Sequence, residues 1–556
     1  FSILETAEEI AFVLQSMMDA STNKTLPKGM DLQTVFALYT GIFEQTKYLQ
    51  LYEHKPLRIV IFRGGTGAVQ ITKLLKKLPN VEVHIVLGAT DDGRSWFIGA
   101  QDFNATGIPD AGKCLLDLAD DSALRTFMSY RFKNVTPEQS RSIFSQFIRV
   151  ITAGADQAEV LLPQTQELLT LFEALDSAQK KYIAKYLQTF EEKYSGFQSR
   201  HDPKERTRFH FVNIPVRSPL LVGAAWFHQA EGVEDYWQYG IDKVASLLAV
   251  EPHRVYFATS KRQHLMGMTI DGEIFFTETG INEFPRKSDF LGIWLTDEMF
   301  DVASFEKELA GQGIELEPVQ VSEHVREDAR KEITDTIRKV KNGRHIRAVV
   351  GAISRRSTTV LRDGNIIQSA PCAHRAILEA DIMIYANTTL ESNQGSALIV
   401  PGIQSAIRLN ERAVKVLFVN PTIENDPKDT TALNLLERIY RYVSGQQHFE
   451  TSFMNWNRGH QYIDFVIGHG MQYPRRDVRK AYIPFEEGAI HKQIDPLVKV
   501  IGMNLEFETP VLREGKDYNH KWEEYGFYSA QLMKEALIQA HTIKTVRRAL
   551  GERSAH

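Results

Sequence analysis

Cysteine is scarce in this sequence. Only Cys114 and Cys372 occur among 556 residues, which excludes a disulfide framework and favours a reducing compartment. Long apolar runs are absent as well, since the stretch ADIMIYA at 380–386 is far shorter than the ~20 residues that cross a bilayer. Positive charge shows no excess, because the formal net charge is -5, and this argues against a broad nucleic-acid surface.

These absences predict a cytoplasmic globular protein with no membrane and no nucleic-acid partner. None of the 17 histidines has the H-E-x-x-H spacing of a zinc site, so no zinc is assigned. The numbering begins at Phe1, which leaves room for an upstream targeting segment that has been removed.

Short apolar strands alternate with amphipathic helices from residue 57 onward, which is typical of a doubly wound α/β fold. The predicted strands are RIVIF, VEVHIVLGAT, RVYFAT, ADIMIYA, AVKVLFV and DFVIGHG. Helices are predicted over 67–78 and at YGIDKVASLLAV, and the pair Asp271-Gly272 predicts a hairpin turn. The predicted fold class is therefore α/β, with a Rossmann-like, mainly parallel sheet.

Four segments are predicted along the chain. They are an N-terminal helical extension at 1–55, the first part of the α/β domain at 56–133, a helical insertion at 134–206, and the remainder at 207–556, which ends in a helix over about 527–549. The insertion, or lid, opens on Thr136-Pro137, a helix cap followed by a first-turn proline. One of its helices is predicted to pack through a single face formed by Tyr182, Ile183, Tyr186, Leu187 and Phe190.

A glycine-rich turn follows the first strand and leads into a helix. It reads Arg63-Gly64-Gly65-Thr66-Gly67. Unpaired N–H groups at a helix start favour an anion, and glycine lets the backbone approach a phosphate closely. A simple strand-to-helix turn is the alternative interpretation. No P-loop motif occurs, and the dinucleotide fingerprint is matched only in part, because Gln70 stands at its third glycine.

Carboxylates follow on neighbouring turns of the predicted sheet. Asp91 and Asp92 end the second strand, and Asp110 precedes the helix of GIPDAGKCLLDLA. Each of them is also a plausible helix cap or turn residue. Because such turns face one crevice in a doubly wound sheet, we predict a magnesium-bound diphosphate there, with Arg94 and Lys113 as counter-charges.

Several motifs in order resemble the CofD-like superfamily, which includes phospholactate transferases of deazaflavin coenzyme biosynthesis and the YvcK proteins, or gluconeogenesis factors. The motifs are GGTG, DDG, PDAGKCLLDLA, YRF at 130–132, VASLLAVEPHRVYFAT, MTIDGEIFFTETGI and EADIMIYANTTLESNQGSALIVPGIQSAIR. The resemblance covers most of residues 57–510 and implies a Rossmann-like sheet that binds a nucleotide-diphosphate compound or a nucleotide sugar. It also implies a homodimer.

The resemblance assigns roles to residues of this chain. Magnesium would be held by Asp91 or Asp92 together with Asp110, and these acids would also serve catalysis. The second loop of the family matches YANTTLES, so Asn387, Thr388 and Ser392 are predicted to bind the nucleotide or its phosphates along with the glycine turn. In the transferase branch an acceptor hydroxyl attacks the phosphate that bears a hydroxy acid, and a nucleoside monophosphate leaves.

This chain departs from the family pattern at three places. Arg63 stands where the family commonly has glycine, YANTTLES is poorer in glycine and proline than expected, and Arg217-Ser218-Pro219 replaces a glycine-asparagine pair. A magnesium-dependent transferase is favoured because the three acids are present. A nucleotide-sugar-binding regulator without turnover remains open, as does, more weakly, a nicotinamide dehydrogenase. We further predict that the acceptor pocket lies under the helices of 136–200.

Overall fold

The computed structural model describes the middle of the chain most completely. The described residues are 56–64, 68–88, 90, 107–153, 160–200, 210–298, 300–321, 327–359, 367–386, 388–420, 426–427, 429–445, 461–469, 483–493, 498–503, 511–514, 521–524, 537 and 540. The predicted N-terminal helices and nearly all of the predicted C-terminal helix lie outside these residues.

Fourteen strands occur within the described residues. In chain order they are β1 (Leu57–Phe62), β2 (Val81–Leu87), β3 (Val255–Phe257), β4 (His264–Thr269), β5 (Glu273–Phe275), β6 (Phe290–Thr296), β7 (Leu316–Pro318), β8 (Ile337–Val340), β9 (Ile382–Tyr385), β10 (Val414–Phe418), β11 (Phe465–His469), β12 (Lys499–Met503), β13 (Val511–Glu514) and β14 (Lys521–Glu524).

The described helices connect and cover these strands. They are α1 (Val69–Leu75), α2 (Ile108–Leu118), α3 (Ala123–Ser129), α4 (Pro137–Ala153), α5 (Pro163–Glu173), α6 (Ser177–Arg200), α7 (Arg217–Ala230), α8 (Tyr236–Leu247), α9 (Glu278–Glu283), α10 (Val302–Gly311), α11 (Glu327–Thr336), α12 (Ile346–Arg356), α13 (Pro371–Glu379), α14 (Ser396–Leu398), α15 (Pro401–Leu409), α16 (Ala432–Ser444) and α17 (Glu487–Gln493). A π-helical turn, Leu390–Gly395, precedes α14.

The main sheet has seven parallel strands in the order β12-β11-β10-β9-β1-β2-β3. Its interior strand β1 is buried on both faces, since Ile59 and Ile61 pack into one hydrophobic core while Val60 and Phe62 pack into another. A strand whose side chains all enter a core needs the continuous apolar run that RIVIF provides. The predicted doubly wound α/β fold is confirmed.

One face of the sheet is covered by helices that include α2, α7, α8 and the helices of the 134–206 block. The start of that block is capped as predicted, because Thr136 Oγ1 accepts a hydrogen bond from the backbone N–H of Gln139. Ile183, Tyr186, Leu187 and Phe190 are buried, whereas Tyr182 is 46% exposed. The prediction for Tyr182 was therefore wrong, since this residue stands at the edge of the packed face.

A second sheet lies on the opposite face of the main sheet, in the core that contains Val60 and Phe62. Its five strands are antiparallel, in the order β6-β4-β5-β8-β7. The predicted hairpin joins β4 to β5, and Gly272 occupies its turn with a φ of +89°. One face of this sheet packs toward α13, α15 and α16, and the other is covered by α10 and α12. The prediction of one mainly parallel sheet did not include this antiparallel sheet.

The first helix is shorter than predicted. It spans Val69–Leu75 rather than 67–78, because the chain turns after Leu75 and Asn80 takes a φ of 56° just before β2. None of the described helices is both long enough and apolar enough to cross a membrane.

Candidate functional site

The chain reverses its direction of winding between two neighbouring strands, β1 and β9. The helix after β1 packs through Ile71 and Leu75 into the first core, whereas the segment after β9 packs through Leu398 and Ile403 into the second core. The connections therefore leave the carboxyl ends of β1 and β9 toward opposite faces. Open α/β sheets bind ligands in the crevice that such a reversal creates.

Gly64 lies at this crevice in close contact with two polar side chains. A methyl group added to Gly64 would collide with Oδ1 of Asn393 and would lie 2.9 Å from Oδ2 of Asp110. Asn393 is oriented by a 3.0 Å hydrogen bond from its Nδ2 to Oγ1 of Thr388. The turn after β1, the start of α2 and the turn after β9 thus meet at one point.

Gly88, which directly follows β2, also contacts the segment after β9. A methyl group on Gly88 would collide with Oγ of Ser396, which donates a 2.6 Å hydrogen bond to the carbonyl of Ser392. Thr90 and Ser392 are 5% and 2% exposed, and their hydroxyl groups have no hydrogen-bond partner among the described residues. Unpaired buried hydroxyls cost free energy, so both are available to a ligand.

A buried ion network holds the π-helical turn in place. Arg438, which is 0% exposed, donates to Glu391 at 2.7 Å and to Asp426 at 2.8 Å. Arg286 reaches Asp426 at 2.7 Å and Glu391 at 3.9 Å. Burial by itself would raise the pKa of Asp426, but the two guanidinium groups outweigh it and lower that pKa. Because Glu391 lies two residues before Asn393, this network fixes the turn that contacts Gly64.

Arg63 lies inside the protein. Its side chain is 0% exposed, its Nη2 donates to Asp117 at 2.9 Å, and its Nη1 donates to Thr72 at 3.0 Å. These contacts tie the end of β1 to α1 and α2. The phosphate contact predicted for Arg63 stays a prediction, and the structure adds an interior ion pair that the sequence did not reveal.

Lys113 lies one helical turn beyond Asp110. Burial lowers the pKa of its ammonium group, and the neighbouring Asp110 carboxylate offsets part of that shift. Burial also raises the pKa of the next residue, Cys114, to about 12, so this thiol stays protonated at neutral pH. Lys113 is thus a half-buried cation near Asp110, and its role as a counter-charge stays a prediction.

The remaining predicted site residues divide into two groups. Thr388 is buried and orients Asn393 and, through its carbonyl, Asn420, whereas Ser392 lies in the π-helical turn. The others fall outside the described residues: Gly65, Thr66, Gly67, Asp91, Asp92, Arg94 and Asn387. Their roles remain predictions.

Four further residues near the crevice were not predicted as site residues from the sequence. Arg217 and Ser218 begin α7, and Arg217 lies against Gly112 of α2, two residues from Asp110. The replacement of the family's glycine-asparagine pair marked this position in the sequence. Asn393 and Glu391 were also missed, because only the fold brings them to Gly64 and Arg438.

The residues present satisfy part of the requirement for magnesium. Asp110 supplies one carboxylate at the crevice, and Mg²⁺ is commonly held by one or two carboxylates together with phosphate oxygens and water. Within the described part of the chain, no group of three or more His, Cys, Asp or Glu side chains is placed to hold a metal by itself. An ion at this point would therefore need the phosphates of a ligand, Asp91 or Asp92.

A separate cavity of about 730 Å³ opens at the carboxyl end of β3. Its lining includes Asp235, Trp237, Arg262 and Asp297. Because β3 is two strands away from β1 in the sheet, this cavity is offset from Gly64 along the same edge.

The fold defines a doubly wound α/β protein with a crevice at the reversal of its sheet. The sequence profile of the family described as 2-phospho-L-lactate transferase CofD matches residues 59–506. The chain therefore belongs to the CofD family, which is a transferase family, and the predicted resemblance is confirmed.

Comparison with solved structures gave two crystal structures of protein BH3568 from Bacillus halodurans, one of them described as a member of the UPF0052 family. The first is 16% identical, covers 87% of this chain and 100% of its own, and has a TM-score of 0.48. The second is 14% identical, covers 87% and 99%, and has a TM-score of 0.49. Comparison with curated proteins gave no significant match.

Proposed function

We propose that this chain is a magnesium-dependent transferase that acts on a donor linked to a nucleotide diphosphate. The observation that carries the proposal is the meeting of Gly64, Asp110 and Asn393 at the reversal of the sheet. Backbone groups of the glycine turn would bind the diphosphate, and Lys113 would balance its charge. A bound Mg²⁺ would neutralise charge on the phosphate oxygens.

In the proposed reaction, the hydroxyl oxygen of an acceptor forms a bond to the phosphorus that carries the hydroxy acid. The bridging P–O bond of the diphosphate breaks, and a nucleoside monophosphate leaves with the bonding electron pair. The hydroxyl proton passes to a carboxylate, for which Asp110 is the described candidate at the crevice. Asn393 would position the ligand by a hydrogen bond from its side chain, which Thr388 orients.

Thermal unfolding with a panel of nucleoside diphosphates and nucleotide sugars, with and without Mg²⁺, tests the proposal. A ligand at a hundred times its Kd adds about 2.7 kcal/mol to the free energy of unfolding. We expect stabilisation by a nucleoside diphosphate to depend on Mg²⁺ in the wild type and to lose that dependence in Asp110→Asn. The control Asp301→Asn, at the cap of the distant helix α10, should keep it.

Different outcomes favour different functions. Stabilisation by a nucleotide sugar with no product formed on addition of acceptors would favour a YvcK-like regulator. Stabilisation by a reduced nicotinamide cofactor alone would favour a dehydrogenase. If no nucleotide stabilises the protein, the transferase proposal is wrong.

A further inference from the structure

Arg217 is a buried cation that has no counter-ion among the described residues. The residue is 7% exposed, its Nε has no hydrogen-bond partner, and no ion pair joins its guanidinium group to any described residue. The hydroxyl of the next residue, Ser218, is 0% exposed and also lacks a partner within that part of the chain. Two adjacent side chains at the start of α7 therefore offer hydrogen-bond donors that the described protein does not use.

The packing of α2 makes room for this arginine. A methyl group on Gly112 would lie 2.8 Å from Cδ and 3.1 Å from Cγ of Arg217, so the aliphatic part of the side chain rests on the glycine. Burial lowers the pKa of Arg217 to about 10, the neighbouring Arg131 lowers it as well, and Asp110 opposes both. Arg217 therefore remains charged at neutral pH, close enough to Asp110 to sense its carboxylate.

Among the described residues, the charged side chains that interact with Arg217 or with its neighbours Asp110 and Asp117 include more cations than carboxylates. The cations are Arg63, Lys113, Arg131 and Arg217, and the carboxylates are Asp110 and Asp117. Arg63 and Asp117 already form an ion pair with each other. The nearby thiol of Cys114 stays neutral at ordinary pH, so it supplies no compensating charge.

An isolated buried cation destabilises a folded protein unless an anion approaches it. Arginine differs from lysine because its planar group donates two parallel hydrogen bonds to the two oxygens of a carboxylate. The hydroxyl of Ser218, the next residue in the chain, is a further buried donor without a partner among the described residues. The group that fits these donors is a small oxyanion with two accessible oxygens.

We infer that Arg217 and Ser218 form a second anion site, which binds the carboxylate of the hydroxy acid carried by the donor. This inference rests on the proposed function, and it makes Arg217 a specificity-determining residue that touches the substrate. Asp110 lies against Gly64 while Gly112 lies against Arg217, so the two sites flank the first turns of α2. A donor with a diphosphate at the glycine turn would place its acidic end toward α7.

Calorimetric titration with two matched probes tests the inference. 2-Phospho-L-lactate carries the carboxylate, whereas isopropyl phosphate has a methyl group in its place on the same carbon skeleton. Wild-type protein should bind 2-phospho-L-lactate at least about tenfold more tightly. Arg217→Met should abolish that preference and leave the affinity for the nucleoside diphosphate that most stabilises the wild type within about twofold, and Ser218→Ala should reduce the preference only in part.

The stability of the ligand-free protein provides an independent readout. Because Arg217→Met removes an unpaired buried charge and keeps an extended apolar stem, its melting temperature should equal or exceed that of the wild type. Arg338→Met, which removes a cation already paired with Glu306, is the matched control and should leave both probe affinities unchanged.

Three results would overturn the inference. They are a wild-type protein that does not distinguish the probes, a preference that persists in Arg217→Met, and an equal loss of nucleoside diphosphate binding in that variant. Failure of the proposed function looks different, since no nucleoside diphosphate of the panel would then bind to the wild type even where Arg217 still discriminates between the probes.

Discussion

Gly64→Ala is the substitution that tests the packing at the crevice most directly. The new methyl carbon would collide with Oδ1 of Asn393, lie 2.7 Å from its Cγ and lie 2.9 Å from Oδ2 of Asp110. The φ of Gly64 is not positive, so backbone strain makes no contribution to the effect. Any loss of stability or of ligand affinity therefore results from the packing of these two polar side chains on the glycine.

The expected loss of stability follows from the side chains that must move to make room for the new methyl group. Asn393 has to turn away, which breaks its 3.0 Å hydrogen bond to Thr388 at about 1 kcal/mol. Overpacking adds about 1–3 kcal/mol. We expect Gly64→Ala to lower the free energy of unfolding by about 2–4 kcal/mol and to weaken nucleoside diphosphate binding at least about tenfold.

Urea unfolding and calorimetric titration measure the two effects. Gly351→Ala is the matched control, because a methyl group there meets only Nη1 of Arg355 at 3.8 Å and alanine favours its helix. Adding Asn393→Ala to Gly64→Ala should recover part of the stability, since it removes the main obstacle. Wild-type stability and affinity in Gly64→Ala would refute the arrangement at the crevice.

Three further substitutions probe individual charges. Lys113→Met should weaken binding of a nucleoside diphosphate at least about tenfold in calorimetry and reduce its salt dependence, and unchanged affinity would exclude Lys113 as a counter-charge. Glu391→Gln leaves the buried Arg438 with one carboxylate fewer, so urea unfolding should show a loss of about 3 kcal/mol, and a loss below about 0.5 kcal/mol would count against the network. Burial and Arg254 lower the pKa of His84 to about 4 from 6.5. The unfolded chain then binds the proton more tightly, so stability present above pH 6.5 should fall by about 3 kcal/mol toward pH 4, and His84→Gln should flatten that slope; an identical pH profile would contradict this.

Local patterns were sufficient to predict six of the seven strands of the parallel sheet. RIVIF and VEVHIVLGAT are continuous apolar runs of strand length, and a strand buried on both faces needs such runs. Lys499–Met503 was missed. The antiparallel sheet was missed apart from its hairpin, because β4 pairs with β6 and β5 pairs with β8 across long intervening segments.

The candidate site, like the fold, could be predicted only in part from local sequence patterns. The glycine turn and Asp110 were recognisable because turns at the carboxyl ends of neighbouring strands share a crevice. The contact of Asn393 with Gly64 depends on the π-helical turn, and the partners Glu391 and Arg438 are 47 residues apart in sequence. No local pattern records such pairings. In the sequence, Arg217 stood out only as a departure from the family pattern. That it has no counter-ion among the described residues could be seen only in the structure.

The most direct measurement is a crystal structure of the protein with the nucleoside diphosphate that stabilises it most and with Mn²⁺, which substitutes for Mg²⁺ and gives an anomalous signal. The proposal predicts the diphosphate at the glycine turn after β1, with the manganese peak at coordination distance from the carboxylate of Asp110. A nucleotide bound in the cavity beside Trp237 and Arg262, with Asp110 free of metal and phosphate, would contradict it.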